Sequence, residues 1–215
     1  MSVRLAIFDF DGTLADTYPL FAEVLNGLAR KHGFREVAEA ERPRLRRLSA
    51  QDVLRELQLP LWKVPAVLAD FRAIMQSRIG EVRLFPGIDE VLHQMLDARV
   101  DVAVTTSNSS ANVQAVLGAA LMQRLTAVEC GVALFGKAHR LRRVVKTTQV
   151  AKDQIIYIGD EIRDAVAAAR AGVSFGAVAW GYTDLDALLS SSPRKVFRHS
   201  ADMLTLSVGE GAARA

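Results

Sequence analysis

Asp9 and Asp11 stand two residues apart, where the apolar run Leu5, Ala6, Ile7, Phe8 gives way to Gly12 and Thr13. Neighbours on a strand alternate between its two faces, but a chain running out into a Gly-containing turn can bring both acids to one site at the strand's carboxyl end. Like charges that close disfavour each other's ionised form, and burial adds to the penalty. A hard cation held by oxygen ligands, such as Mg2+, relieves both. The plainer alternative is a strand followed by an Asp-Gly turn, a common punctuation. The carboxylate spacing favours the metal site over that turn.

Three further polar groups fall at or just past apolar runs. Thr105, Thr106, Ser107 and Asn108 follow residues 100–104. A hydroxyl followed by backbone N–H groups near a helix start is a natural phosphate cradle, although Ser107, Asn108 or Ser109 would equally serve as a helix cap. Lys137, after Phe135 and Gly136, could neutralise a phosphoryl group or simply sit solvated where a helix begins. Asp160 and Asp164 follow Tyr157, Ile158 and Gly159. Four residues apart, they share one face of a helix start, where the helix dipole favours acids. The dipole accounts for either acid singly, but not for acids recurring at two strand ends. Residues 131–137 also spell G-x-x-x-x-G-K. Ala138 lacks the hydroxyl that a nucleotide-binding loop needs for Mg2+, and Val132, Ala133, Leu134 and Phe135 are too bulky for a phosphate cradle, so a P-loop is set aside.

Short apolar runs at 5–8, 100–106, 127–129, 155–158 and 174–178 predict strands. Several are continuously apolar, as expected when helices cover both faces of a parallel sheet. Amphipathic stretches at 89–98, 109–117, 138–147 and 162–171 predict helices, each following a strand, so the core is read as right-handed βα units. Residues 17–83 break the rhythm. They show only helical stripes: Phe21, Val24, Leu25 and Leu28; Val53, Leu54 and Leu57; Val67, Leu68, Phe71, Ile74 and Met75. Three or four helices are therefore expected as an insertion after the first strand, and Pro86-Gly87 marks the return to the sheet. The expected organisation is an α/β core over residues 1–16 and 84–215, with a small helical bundle over 17–83. Residues 209–215 are expected to fray.

The four polar groups in this order resemble the haloacid dehalogenase superfamily, in particular its phosphatase branch. The resemblance runs from Ile7 to about Tyr182. Its first motif is the specific one, and the helical insertion is similar to the cap found in phosphoglycolate phosphatases, as is the stretch from Ala177 to Tyr182. The resemblance implies a Rossmann-like parallel sheet sandwiched by helices, and a Mg2+ cofactor. It implies Asp9 as nucleophile forming an aspartyl-phosphate and Asp11 as general acid and then base. Ser107 and Asn108 would hold phosphoryl oxygens, with Lys137 offsetting their charge. Asp160 would complete the Mg2+ shell with Asp9 and the backbone carbonyl of Asp11, and Asp164 would act on the metal more indirectly.

Carbon–halogen displacement does not need an acid two residues after the nucleophile, so Asp11 points to phosphate-ester hydrolysis. A phosphomutase, a pyrophosphatase or a silent phospho-ligand-binding protein remain alternatives on the same core. The bundle should choose the substrate. Tyr18 could line the entrance, and Arg42, Arg44, Arg46 and Arg47 form a basic run before Ser49, which is placed to cap the next helix. Arg46 is the first choice for the anionic part of a small substrate such as 2-phosphoglycolate, against a solvated basic face for any one of these arginines. Trp62 and Trp180 are expected to pack the bundle and the core. The four histidines, His32, His93, His139 and His199, lack metal-ligand spacing.

The 215 residues are half apolar and a quarter charged, with net charge +3, ordinary for a globular protein with a core. That small excess, without aromatic interleaving or a recognition motif, is weak evidence for nucleic acid and equally suits an anionic substrate, so no nucleic-acid partner is expected, and no apolar run reaches the length needed to cross a bilayer. The single Cys130 is expected to be buried and inert, excludes an internal disulfide, and suits a reducing compartment. A cytoplasmic enzyme acting on a small anionic phosphate ester, as monomer or homodimer, is the expectation.

Overall fold

A computed structural model describes residues 2–131 and 136–207. The interior of the rejected P-loop segment and the tail expected to fray lie outside the described residues. Six strands, β1 (Leu5–Phe8), β2 (Asp101–Thr105), β3 (Ala127–Glu129), β4 (Ile155–Gly159), β5 (Ser174–Val178) and β6 (Lys195–Phe197), form one parallel sheet in the order β3-β2-β1-β4-β5-β6. From β1 the chain builds outward to β2 and β3. It then returns to the other side of β1 for β4, β5 and β6. The strand order therefore reverses beside β1, and open α/β sheets hold their ligands at the carboxyl edge of such a switch point.

The sheet separates two apolar layers. Ala6, Phe8, Val102, Val104, Ile156 and Ile158 join the layer that includes helix α5 (Ile88–Asp97) and helix α6 (Ser110–Arg124). Leu5, Ile7, Ala103, Ile155 and Tyr157 face the layer of helix α7 (Lys137–Thr148) and helix α8 (Ile162–Ala171). The period-2 split of β1 between the layers is what a strand buried on both faces requires. The expected strands and core helices all form. The stretch expected to end as a helix at 117 continues to Arg124, after a break at Gly118 with φ 77°. β6 was not anticipated. Its three residues pair only with β5, and so short an edge strand carries almost no periodic signal.

Between Ala15 and Leu84 the described chain is helical: α1 (Tyr18–His32), α2 (Arg42–Leu45), α3 (Ala50–Glu56) and α4 (Val64–Ser77), with single turns of 3-10 helix between and after them. Ser49 caps α3 as expected, its Oγ accepting from the Asp52 N–H at 3.2 Å. The two connections to the sheet lie side by side. The Asp16 N–H donates to the Arg83 carbonyl and the Phe85 N–H to the Leu14 carbonyl, both at 2.9 Å. Trp62 does not pack the bundle: it is 76% exposed on the turn before α4, with the Lys63 ammonium 5.3 Å from its ring centroid. Its place in a connection, rather than on an apolar stripe, accounts for the difference. Trp180 is partly buried, and its indole N–H donates to the Thr13 carbonyl at 3.1 Å. No helix of the described residues is long and apolar enough to cross a membrane.

Candidate active site

Register places the site. Phe8 is level with Val104 on one side and Ile158 on the other, and the Asp9 N–H continues the ladder to the Ile158 carbonyl at 2.8 Å. One or two further residues on each strand bring Asp9, Thr106 and Asp160 to one edge of the sheet. Beyond Asp9 the chain makes a tight turn. Gly12, at φ 76°, donates its N–H to the Ala15 carbonyl at 2.9 Å. An added Cβ at Gly12 would lie 2.4 Å from Asp160 Oδ2, so the turn needs glycine both for its backbone and for the acid beside it.

Asp9, Asp160 and Asp164 are buried, and one carboxylate oxygen from each lies within 4.8 Å of the others. Lys137, the first residue of α7, is buried against them: its Nζ contacts Asp9 Oδ2 and lies 2.5 Å from Asp164 Oδ1. Asp164 also accepts from the Tyr157 hydroxyl at 3.3 Å and the Glu161 N–H at 3.1 Å. Both oxygens of Asp160 are fixed, Oδ1 by the Thr13 hydroxyl at 2.7 Å and Oδ2 by the Tyr182 N–H at 2.8 Å. Asp11 turns out of this cluster. Its carboxylate accepts from Asn108 Nδ2 at 2.9 Å and forms part of the wall of a cavity of about 240 Å³ under the helical insertion.

Burial dominates the electrostatics. It lifts Asp9 to about 7, with Lys137 opposing and Asp164 adding to the rise. It lifts Asp160 well above the usual carboxylate range, reinforced by Glu161, Asp164 and Asp9. Asp11 is raised by burial against the hydrogen bonds of Asn108 and Thr17. In Asp164, burial is outweighed by Lys137 and Arg163, so its carboxyl falls below the ordinary value. For Lys137, burial and Arg163 oppose the charge, while Asp164 and Asp9 more than restore it. Lys137 and Arg163 thus hold one of the three acids ionised and leave two pushed toward protonation. A divalent cation among the three oxygens would oppose that push, and hard carboxylate oxygens are suitable donors. The cluster fits a metal ion.

Asn108 is the hub of the loop after β2. Its N–H donates to Thr106 Oγ1 at 2.9 Å, and its Oδ1 accepts from the Ser109 N–H at 2.8 Å and from Asn112 Nδ2 at 2.9 Å. Ser109 is the helix cap, its Oγ accepting from the Asn112 N–H at 3.2 Å. That leaves Ser107 and Asn108 on the cavity wall. Asp9, Lys137, Asp160 and Asp164 therefore converge, with Asp11, Ser107 and Asn108 beside them.

Arg46 also reaches the cavity, yet its guanidinium is occupied. Nε donates to the Tyr182 carbonyl at 2.9 Å and Nη2 to the Gly181 carbonyl at 2.7 Å, while its carbon lies 5.0 Å from the Tyr18 ring centroid. Arg44 pairs with Glu56 at the surface, as a solvated basic face would. Residue-type reasoning missed Thr13, Gly181 and Tyr182 as partners of Asp160. The signal was present: Thr13 lies within the first motif, and an aromatic–Gly–aromatic stretch, Trp180 to Tyr182, closely follows an apolar strand. An added Cβ at Gly181 would fall 2.0 Å from the Asp160 Cβ.

Residues 6–178 match the sequence model of the haloacid dehalogenase-like hydrolase family. A phosphoglycolate phosphatase of Synechococcus elongatus is 29% identical over 203 residues, covering 94% of this chain and 96% of the relative. One of Agrobacterium fabrum is 30% identical over 200 residues, covering 84% and 82%. In structure, a haloacid dehalogenase-like family hydrolase of Streptococcus pneumoniae aligns with TM-score 0.75 at 19% identity, over 94% of this chain and 97% of that one. CbbY of Rhodobacter sphaeroides, solved with phosphate, aligns with TM-score 0.69 at 21% identity, over 94% and 96%. These two likenesses share the fold.

Proposed function

Because this chain belongs to the haloacid dehalogenase-like hydrolase family, we propose that it is a Mg2+-dependent phosphatase. It hydrolyses a small anionic phosphate monoester of the phosphoglycolate type through an aspartyl-phosphate on Asp9. The observation that carries this reading is the pairing of two different aspartates two residues apart: Asp9 buried against Lys137, and Asp11 outside the acidic cluster on the cavity wall. The names of the curated relatives support the substrate class.

In this reading Asp9 attacks phosphorus, and its new O–P bond forms as the bond to the leaving oxygen breaks. Asp11, whose carboxyl is raised by burial, gives its proton to that leaving oxygen. Its carboxylate then takes a proton from the water that attacks the aspartyl-phosphate, releasing inorganic phosphate and restoring Asp9. Proton transfer of this kind contributes about 10²–10⁴-fold. Ser107 and Asn108 hold phosphoryl oxygens, Asn108 exchanging its bond to Asp11 for one to the phosphoryl group, and Lys137 offsets their charge. Asp9, Asp160 and the Asp11 carbonyl would hold Mg2+, with Asp164 acting through its neighbours. When bound, the ion supplies positive charge against the phosphoryl oxygens, the main requirement of phosphoryl transfer. Residues 17–83 act as a cap domain over the core of 1–16 and 84–215, keeping bulk water from the reacting groups.

The test is release of phosphate from 2-phosphoglycolate and from a panel including pyrophosphate and sugar phosphates, with Mg2+ and with EDTA. The expected result is turnover that EDTA abolishes and that Asp9→Asn lowers by on the order of 10⁴-fold or more. Labelled phosphate should be recovered on Asp9 after acid quench. Phosphate binding with no turnover of any ester would overturn the reading in favour of a silent binding protein.

A further inference from the structure

The cavity wall holds an arginine whose guanidinium has no hydrogen bond or ion pair among the described residues. Of the arginines lining it, Arg46 donates to the Gly181 and Tyr182 carbonyls and Arg163 to Glu161, while Arg42 is turned into the packing, its Nη2 donating to the Ala22 carbonyl at 3.1 Å and its Nε buried without a partner among the described residues. Arg72 lies on the same wall, and among the described residues its guanidinium makes no hydrogen bond or ion pair. Its position is fixed by what surrounds it. Met75, one turn further along α4 and so on the same helix face, places its sulfur 3.0 Å from Asn108 Nδ2. The Arg72 carbonyl accepts from Asn112 Nδ2 at 3.3 Å, and that same nitrogen donates to Asn108 Oδ1 at 2.9 Å. The Arg72 turn of α4 is thus tied to the loop that carries Ser107 and Asn108.

We propose that Arg72 is the specificity-determining residue of the site, binding a second anionic group carried by the leaving portion of the phosphate ester. This rests on the phosphatase reading above. Asp11, the proton donor to the leaving oxygen, lines the same cavity as Arg72, and Asn108 Nδ2 touches both the Asp11 carboxylate and the Met75 sulfur one turn from Arg72, so the departing portion of the substrate enters the cavity that Arg72 lines. The rest of the wall is mainly apolar, formed by residues such as Phe21, Leu54 and Phe71, and offers an anionic group few other partners. Lys137 cannot take that role, being held between Asp9 and Asp164. An arginine fork suits a carboxylate or a phosphate equally. Arg46, the first choice from sequence, instead braces the loop whose Tyr182 N–H holds Asp160.

The experiment measures kcat/KM on 2-phosphoglycolate (second anion a carboxylate), pyrophosphate (second anion a phosphate) and ethyl phosphate (no second anion). Arg72→Ala, Arg72→Lys and Arg46→Ala are compared with the unaltered protein. The ratio of kcat/KM for a doubly anionic substrate to that for ethyl phosphate should fall about 10- to 100-fold in Arg72→Ala, the worth of a charge-assisted hydrogen bond, with partial recovery in Arg72→Lys. A fall confined to phosphoglycolate or to pyrophosphate identifies which anion is read. Arg46→Ala should slow all three substrates together, leaving the ratios in place. An unchanged ratio in Arg72→Ala, or a changed ratio in Arg46→Ala alone, overturns the assignment. Should Arg72→Ala fail to fold, Arg72→Lys and Arg72→Gln decide the same ratio. Absence of turnover on all three esters by the unaltered protein would instead sink the phosphatase reading.

Discussion

Asp160 shows how little freedom a single side chain of this site retains. Thr13 and Tyr182 hold its two oxygens, and Gly12 and Gly181 press against it from two loops far apart in sequence. Neither glycine can gain a Cβ without moving the carboxylate. Gly181→Ala is expected to lower kcat/KM by about 100-fold, the cost of roughly 1 Å of misplacement at a reacting site, and to weaken Mg2+ binding measured by calorimetry. Full Mg2+ affinity in Gly181→Ala would show that the loop tolerates the methyl group and that the close approach is incidental. Gly12→Ala adds a strained backbone to the same clash, and so is the less informative of the two.

At the scale of elements, helix termini hold several site residues. Ser109 caps α6, and its own N–H is held by Asn108 Oδ1, so the cap and the proposed phosphate-binding residue share one turn. Ser109→Ala is expected to cost about 1 kcal/mol, seen as an earlier midpoint in urea unfolding; an unmoved midpoint would mean the cap contributes nothing. The sequence made this layer legible where the signal was periodic. β1, β2, β4 and β5 are apolar runs bounded by turn chemistry, and the start of α8 is marked by its acids. Three-residue β6 offered no such pattern, and Trp62 was misjudged because residue type alone does not say whether a side chain sits on a stripe or in a connection. Asp9, Asp11, Lys137, Asp160 and Asp164 were legible because each lies at a strand end or helix start. The partnerships of Arg46 and Arg72 were not. Arg46 follows the end of α2 and Arg72 lies within α4, and only the packing shows that one guanidinium is occupied while the other has no partner among the described residues.

Taken as a whole, the molecule concentrates buried acids at a single edge of the sheet with one lysine among them. Mg2+ that binds only the folded chain stabilises it by about 2.7 kcal/mol at a hundredfold excess over its Kd. Thermal unfolding should therefore shift upward on adding Mg2+ and return with EDTA, and Asp160→Asn should largely remove the shift. An identical transition with and without the ion would show that the three carboxylates do not form a metal site. The buried acids of the cluster lie at the sheet edge, while Asp11 faces the cavity that core residues share with Arg72 of the helical insertion.

The Leu14–Asp16 segment and its return partner, Arg83–Phe85, are stitched together by backbone bonds. Departure and return at one doorway mean that the excursion over residues 17–83 can lengthen, shorten or be exchanged while the strands below keep their alignment. A lineage built on this plan can therefore explore new substrates by rewriting the excursion alone, inheriting its chemistry intact.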